Sequence, residues 1–202
     1  MTKVLIIGAT GSLGQVTRQY FLENSDDQLT LMARNLTPLQ TQINPQREHL
    51  VTGDVTNSQQ LQAALQGQDV VVAALSGDLP QMAQSLVTQM TQMNIRRLIF
   101  ISSMGIYNEI PAAIGEEGNL QHNPLLKNYR QAADIIEASS LNYTVIRPGW
   151  FDNGTDIHYQ ITKKGEPFGG HDVSRKSIAD LILRLAHDSH LGSRESLGIN
   201  RA

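Results

Sequence analysis

Val4-Leu5-Ile6-Ile7-Gly8-Ala9-Thr10-Gly11-Ser12-Leu13-Gly14 is the stretch that decides the fold. Four apolar residues in a row read as a strand buried on both faces, and they meet the glycines without a polar spacer. After Gly14 the apolar residues recur at helical spacing. Strand, glycine-rich turn and helix start, in that order, predict a site for the phosphates of a dinucleotide. In this reading Gly8 makes the tight turn, Gly11 lets the backbone approach a pyrophosphate, and Gly14 lets the helix pack on the sheet. Thr10, Ser12 and Leu13 complete the turn, and the free amides of the new helix face the phosphate charge. Glycine turns also join strands to helices for structural reasons alone. The position of this one, directly after a strand that opens at the third residue, favours the nucleotide.

The length of 202 residues allows one domain with a full hydrophobic core and is too short for two large ones. A content of 40% hydrophobic and 17% charged residues describes a soluble globular protein. The formal net charge of -3 gives no electrostatic case for nucleic acid or an anionic membrane. With no cysteine in the chain, disulfides, thiolate catalysis and cysteine-bound zinc are excluded. The first apolar run is too short for a signal peptide and no stretch is long enough to span a bilayer, so a cytoplasmic location is expected. His49, His122, His158, His171, His187 and His190 show no HxxxH or HxH spacing, and no metal is expected.

Strands and helices alternate almost to the end. This predicts an α/β fold, a single Rossmann-like domain over residues 1–202 whose doubly wound, mainly parallel sheet carries helices on both faces. Strands are expected at 3–7, 28–33, 49–52, 69–74, 97–102, 143–147 and 196–200. Helices are expected at 12–24, from the Asn57 cap to 65, at 79–93, 125–139 and from the Ser174 cap to 188. Leu86, Met90 and Met93 form a core stripe. Residues 36–47 read as a loop with a short helix, and the tail around Gly165, Gly169 and Gly170 as loop. The segment at about 150–175 is left as a small substrate-pocket element.

Three strand ends bear on the cofactor. Strand two ends Leu31-Met32-Ala33-Arg34-Asn35, without the acid that bonds the ribose of NAD. Arg34 instead suits the 2′-phosphate of NADP, so NADP(H) is expected over NAD(H). After strand three, Asp54 is set to accept from the adenine amino group while Val55 packs on the ring, although a turn aspartate capping Thr56-Asn57 fits equally well. After strand four, the small Ala74 and its neighbour Leu75 let the backbone lie against ribose and diphosphate.

Together GATGSLG, LMARN, GDV, FISSMGIY and LNYTVIRPGW resemble, in order and spacing over nearly the whole chain, the atypical NmrA-like branch of the short-chain dehydrogenase/reductase superfamily. The resemblance implies NADP(H) binding, often with reduction of quinones, flavins or biliverdin, and in some relatives only sensing of the cofactor's redox state. It also implies a serine, tyrosine and lysine triad. Ser103, four residues before Tyr107, matches the catalytic serine, with Ser102 beside it toward the cofactor. Tyr129 stands at the right distance to be the tyrosine, but Ala133 occupies the lysine position. Counting back from Tyr143 without gaps puts Tyr129 at the lysine position and Leu125 at the tyrosine, about 6 Å away along the helix. That count needs no insertion, and in either register the triad is incomplete. A phenol without its lysine is a slow acid at neutral pH, and Tyr129 as a packing residue fits equally well.

Pro148, Gly149 and Trp150 end strand six where relatives pass beside the nicotinamide, and Trp150 either covers that ring or belongs to the core. The expected function is an NADP(H)-dependent oxidoreductase passing hydride to a small quinone, flavin or carbonyl acceptor. That acceptor is expected between the 105–124 loop and the 150–170 segment. The alternative is a non-catalytic NADP(H) sensor of the NmrA type acting on a regulatory protein partner; a homodimer fits both. An epimerase or dehydratase of nucleotide sugars is disfavoured by the short tail.

Overall fold

The computed structural model describes residues 1–201 as one α/β domain. Its first half contains β1 (Lys3–Ile7), α1 (Ser12–Asn24), β2 (Gln28–Ala33), β3 (Glu48–Thr52), α2 (Ser58–Leu65), β4 (Val70–Ala73) and α3 (Leu79–Gln92). The second half contains β5 (Arg97–Ile101), α4 (Leu126–Glu137), β6 (Asn142–Pro148), β7 (Trp150–Asp152), β8 (Tyr159–Lys163), β9 (Asp172–Ser174), α5 (Arg175–His187) and β10 (Glu195–Arg201). Eight strands form one sheet in the order β3-β2-β1-β4-β5-β6-β10-β8, parallel except for β8. The chain winds outward from β1 to β3 and then restarts at β4 on the other side of β1. This reversal opens a crevice at the carboxyl ends of β1 and β4, where open sheets of this type bind ligands.

Burial follows from strand alternation. Val4 and Ile6 point into a cluster under α1 and α5, while Leu5 and Ile7 point into a second cluster under α2, α3 and α4. Because helices cover both faces, β1 can be apolar at every inward position. Side-chain caps fix three helix starts: Asn57 accepts from Gln60 N at 3.1 Å, Asp78 from Gln81 N at 3.2 Å, and Ser174 from Ser177 N at 2.9 Å. Each contributes about 1 kcal/mol. Leu86 and Met90 are fully buried, with Met93 packed at the edge of the same cluster. No helix among the described residues is long and apolar enough to cross a membrane.

The structure corrects the sequence reading in three places. Residues 36–47 form turns with no helix. Pro148 is the last residue of β6 rather than its terminator. The tail expected as loop contains β7 paired in parallel with β9, and β8 paired antiparallel with β10. Strand β8 lies at the sheet edge and is half polar, so its alternation carries little apolar signal.

Asp27 ties three segments at the opposite end of the sheet. Its carboxylate accepts from the Thr2 amide at 2.8 Å and meets the His187 ring at 2.6 Å. Burial pushes this carboxyl up, but the Thr2 amide and His187 outweigh burial and hold it below the usual carboxylate range. A carboxyl depressed in the folded state contributes stability above its unfolded pKa of about 3.9 and loses it as pH falls through the folded value. Urea unfolding of Asp27→Asn is therefore expected to show a smaller loss of stability between neutral pH and the acid range than the parent. Parallel pH profiles for the two proteins would contradict this role.

Candidate functional site

Turn and helix geometry set the phosphate end. Gly8 has φ of +83°, and a Cβ there would lie 2.0 Å from the Ala74 carbonyl oxygen. A Cβ on Gly14 would lie 2.2 Å from the Gly8 carbonyl oxygen. Both glycines are thus required by the packing of β1, β4 and α1. Gly11 differs, with ordinary φ of -71° and a nearest contact of 3.2 Å for an added Cβ. It is the N-cap of α1 and supplies no side-chain cap, and the first turn carries no acid. The amides of Ser12, Leu13 and Gly14 precede the first helical bond, from Gln15 N to Gly11 O at 2.9 Å, and point outward unpaired. An uncapped N-terminus beside a glycine fits a diphosphate.

Three adjoining chambers run along the carboxyl ends of the strands. The first is lined by Gly8, Thr10, Arg34, Asp54 and Val55 among others. It shares Gly11, Ala74, Leu75 and Ser76 with the second, which also meets Ser12, Leu13 and Gly14. The second shares Ser102, Tyr129 and Phe151 with the third, which reaches Ser103, Pro148, Gly149 and Trp150. The residues expected from the sequence to hold the cofactor, together with Ser103 and Tyr129, therefore lie on one continuous cleft.

At the first end, Arg34 is exposed and makes no hydrogen bond or ion pair among the described residues. Asp54 forms the turn foreseen as the alternative, accepting from Thr56 N at 2.9 Å and Thr56 Oγ1 at 2.8 Å through Oδ1. These Thr56 donors lower its pKa. Its Oδ2 stays free, so turn and ligand roles are compatible. Asn35, from the strand-two end, Ser76 and Met82 also line this chamber; of these Met82 carries no motif signal in the sequence.

At the far end the backbone of Ser102–Met104 runs beside β6, with Ser102 N bonded to Ile146 O at 2.7 Å and Met104 N to Pro148 O at 3.1 Å. The Ser102 hydroxyl is buried without a hydrogen-bond partner, while the Ser103 hydroxyl donates to the Met104 carbonyl at 3.0 Å. An orphaned hydroxyl on a cleft wall is what a bound polar group would satisfy. Tyr129 lines the cleft, whereas Ala133, one turn later, is fully buried and Leu125, one turn earlier, is 80% exposed. Tyr129 is thus the one of the three that faces the cleft.

Tyr107 is turned away from this chemistry. Its hydroxyl donates to Glu137, and its ring is flanked by Arg130, Arg147 and Lys164 at 4.9, 5.2 and 4.3 Å. Burial, with Glu137 beside it, raises the phenol above its usual range. Trp150 is 67% exposed, which rules out a core role, and its ring stacks on His171 at 6.4 Å. The close approach that Gly149 permits is by the chain itself: a Cβ there would meet His171 O at 2.4 Å. Of the loops expected to wall the acceptor, Gly118, Asn123, Trp150 and Phe151 line the third chamber. Arg175, the first residue of α5 and the last of the 150–175 segment expected at the substrate pocket, also lines it, although the sequence does not single it out.

Residues 8–189 match a protein family described as NAD(P)H-binding. The chain belongs to that family. It is similar to a Rossmann-fold NAD(P)-binding family protein from Shigella flexneri, 37% identical, covering 100% of this chain and 94% of that one with a TM-score of 0.82. It also resembles a short-chain dehydrogenase/reductase from Veillonella parvula solved in complex with NADP, 28% identical over 99% and 94% of the two chains, with a TM-score of 0.87. A Bacillus subtilis (strain 168) relative named as the uncharacterized sugar epimerase YhfK is 27% identical over 195 residues, 89% of this chain and 87% of that protein. Fold, family and cleft together give an NAD(P)H-binding, oxidoreductase-like protein.

The glycines separate two kinds of constraint. Gly14→Ala is expected to destabilise the fold by about 1–3 kcal/mol, because its Cβ must displace backbone. Gly11→Ala, whose Cβ would meet the Gly8 carbonyl oxygen at 3.2 Å, is expected to cost less stability than Gly14→Ala while weakening nucleotide binding. Melting curves and cofactor titrations on both variants check this, and unchanged binding in Gly11→Ala would overturn the phosphate assignment.

Proposed function

We propose that the protein is an NADP(H)-dependent oxidoreductase that passes hydride to a small flat acceptor, a quinone, flavin or carbonyl compound. One observation carries this reading: the cleft that begins at the unpaired Arg34 ends at Ser102, Ser103 and Tyr129. Arg34 would grip the 2′-phosphate with its planar fork, the α1 amides and Gly11 would hold the diphosphate, and Asp54 Oδ2 would accept from the adenine amino group. The reduced nicotinamide, when bound, supplies the hydride. Ser102 and Ser103 orient the acceptor oxygen, and Tyr129 gives it a proton. The NADP complex of the Veillonella parvula relative supports the cofactor choice.

A second reading has its own support. No lysine lines the cleft and Ala133 is buried, so the residue that activates tyrosine in catalytic relatives is missing. This favours an NmrA-like sensor that binds NADP(H) without turnover. A sugar epimerase, as the Bacillus subtilis relative is named, fits less well, since the third chamber is walled by Met104, Leu126, Trp150 and Phe151 and has no carboxylate for sugar hydroxyls.

Titration decides the cofactor and turnover decides the chemistry. Arg34→Ala is expected to weaken NADPH about tenfold and leave NADH unchanged; equal NADPH binding by parent and variant would refute the assignment. Absorbance at the reduced-nicotinamide band, followed with a panel of quinones, flavins and small carbonyls, should fall with time. Ser103→Ala and Tyr129→Phe are each expected to slow it about 100-fold. Tight NADPH binding with no oxidation across the panel would establish the sensor instead.

A further inference from the structure

The third chamber contains one charged residue, Arg175, and its charge is unanswered. Four of the eleven arginines, Arg18, Arg130, Arg147 and Arg201, hold a carboxylate, and Arg175 is not one of them. Among the described residues Arg175 has none: one Nη donates to the neutral Asn153 Oδ1 at 2.8 Å, and its buried Nε makes no hydrogen bond. The guanidinium carbon lies 4.7 Å from the centre of the Phe151 ring, which steadies the cation without neutralising it. Trp150, whose ring is exposed, lines the same chamber. The cofactor's own phosphates are provided for elsewhere, at Arg34 and at the Gly11–Gly14 turn, and Arg175 does not line the chamber that contains that turn.

We propose that Arg175 is the anion-recognising residue of the acceptor site, and that the acceptor is a flat conjugated ring carrying an acidic arm, a carboxylate or a phosphate. The proposal rests on the oxidoreductase reading above and narrows its substrate class. The aromatic wall takes the ring, and the Nη2 group of the guanidinium, which makes no hydrogen bond among the described residues, takes the arm, a charge-assisted contact that fixes the ring's orientation. The chamber, about 440 Å³, is of a size for two or three fused rings.

FMN and riboflavin test this, because they share one ring system and differ by a single phosphate. Protein saturated with NADP+ is titrated into each flavin, and quenching of flavin fluorescence is read. FMN is expected to bind about tenfold more tightly than riboflavin. Arg175→Gln should bring FMN to the riboflavin level, Arg175→Lys should recover part of the preference, and NADP+ affinity should stay unchanged in both. Anthraquinone-2-carboxylate against its methyl ester, read by calorimetry, tests the carboxylate arm in the same way, and an anion preference with either pair supports the proposal. Should Arg175→Gln fail to fold, the parent's preference and the Arg175→Lys variant decide. Equal binding within both pairs, no binding of any probe, or a preference that survives Arg175→Gln would overturn the proposal. So would a loss of NADP+ affinity in Arg175→Gln, since the cation would then serve the cofactor. Failure of the oxidoreductase reading looks different: the anionic probes bind as proposed, but NADPH is never oxidised.

Discussion

Arg147 is completely buried and paired with the equally sheltered Glu109. The pair joins the end of β6 to the loop after β5, which are two walls of the third chamber. Glu109 also accepts from Gly105 N at 3.0 Å and Tyr107 N at 2.9 Å, and Arg147 Nε donates to Ser196 Oγ at 3.1 Å on β10. Every strong polar group of the network thus has partners, the condition under which a buried ion pair is tolerated. Removing one partner would strand a charge in the interior, at a cost of about 3–5 kcal/mol. The network fixes Ser102–Met104 against Pro148–Gly149, so the position of these two cleft segments depends on a charge pair that lines none of the three chambers.

The phosphate end is organised differently. There the constraint is backbone contact: Gly8 against Ala74 and Gly14 against Gly8 leave no room for a Cβ. These contacts press α1 onto the sheet and aim its free amides into the crevice between β1 and β4. Gly11 is less tightly constrained, with an ordinary φ and a nearest contact of 3.2 Å for an added Cβ.

How much of this could be read from the sequence depends on range. The strand-turn-helix unit at Val4–Gly14 is local, and its period and glycines announce both fold and phosphate site. The strand ends at Arg34, Asp54 and Ala74 were legible because parallel topology brings all carboxyl ends to one edge. Strands β7, β8 and β9 were not, because they are short or lie at the edge and lack an apolar alternation. The register of Tyr129 is ambiguous along the helix because both counts are local; only the tertiary structure shows that of the three candidates Ala133 is inside, Leu125 outside and Tyr129 on the cleft. Arg175 does not stand out, for another reason. A charged residue at a helix start is ordinary in sequence, and only the tertiary structure leaves it without an acid.

The central claim is that one cofactor spans the cleft from Arg34 to the wall formed by Trp150. Trp150 is the chain's only tryptophan, so its emission reports on that wall alone. The account predicts that bound NADPH quenches Trp150 and shows sensitised nicotinamide emission. Adenosine 2′,5′-bisphosphate, a ligand for the Arg34 end alone, should abolish both by competition. NADPH binding that is evident by calorimetry but leaves Trp150 emission unchanged would contradict the account.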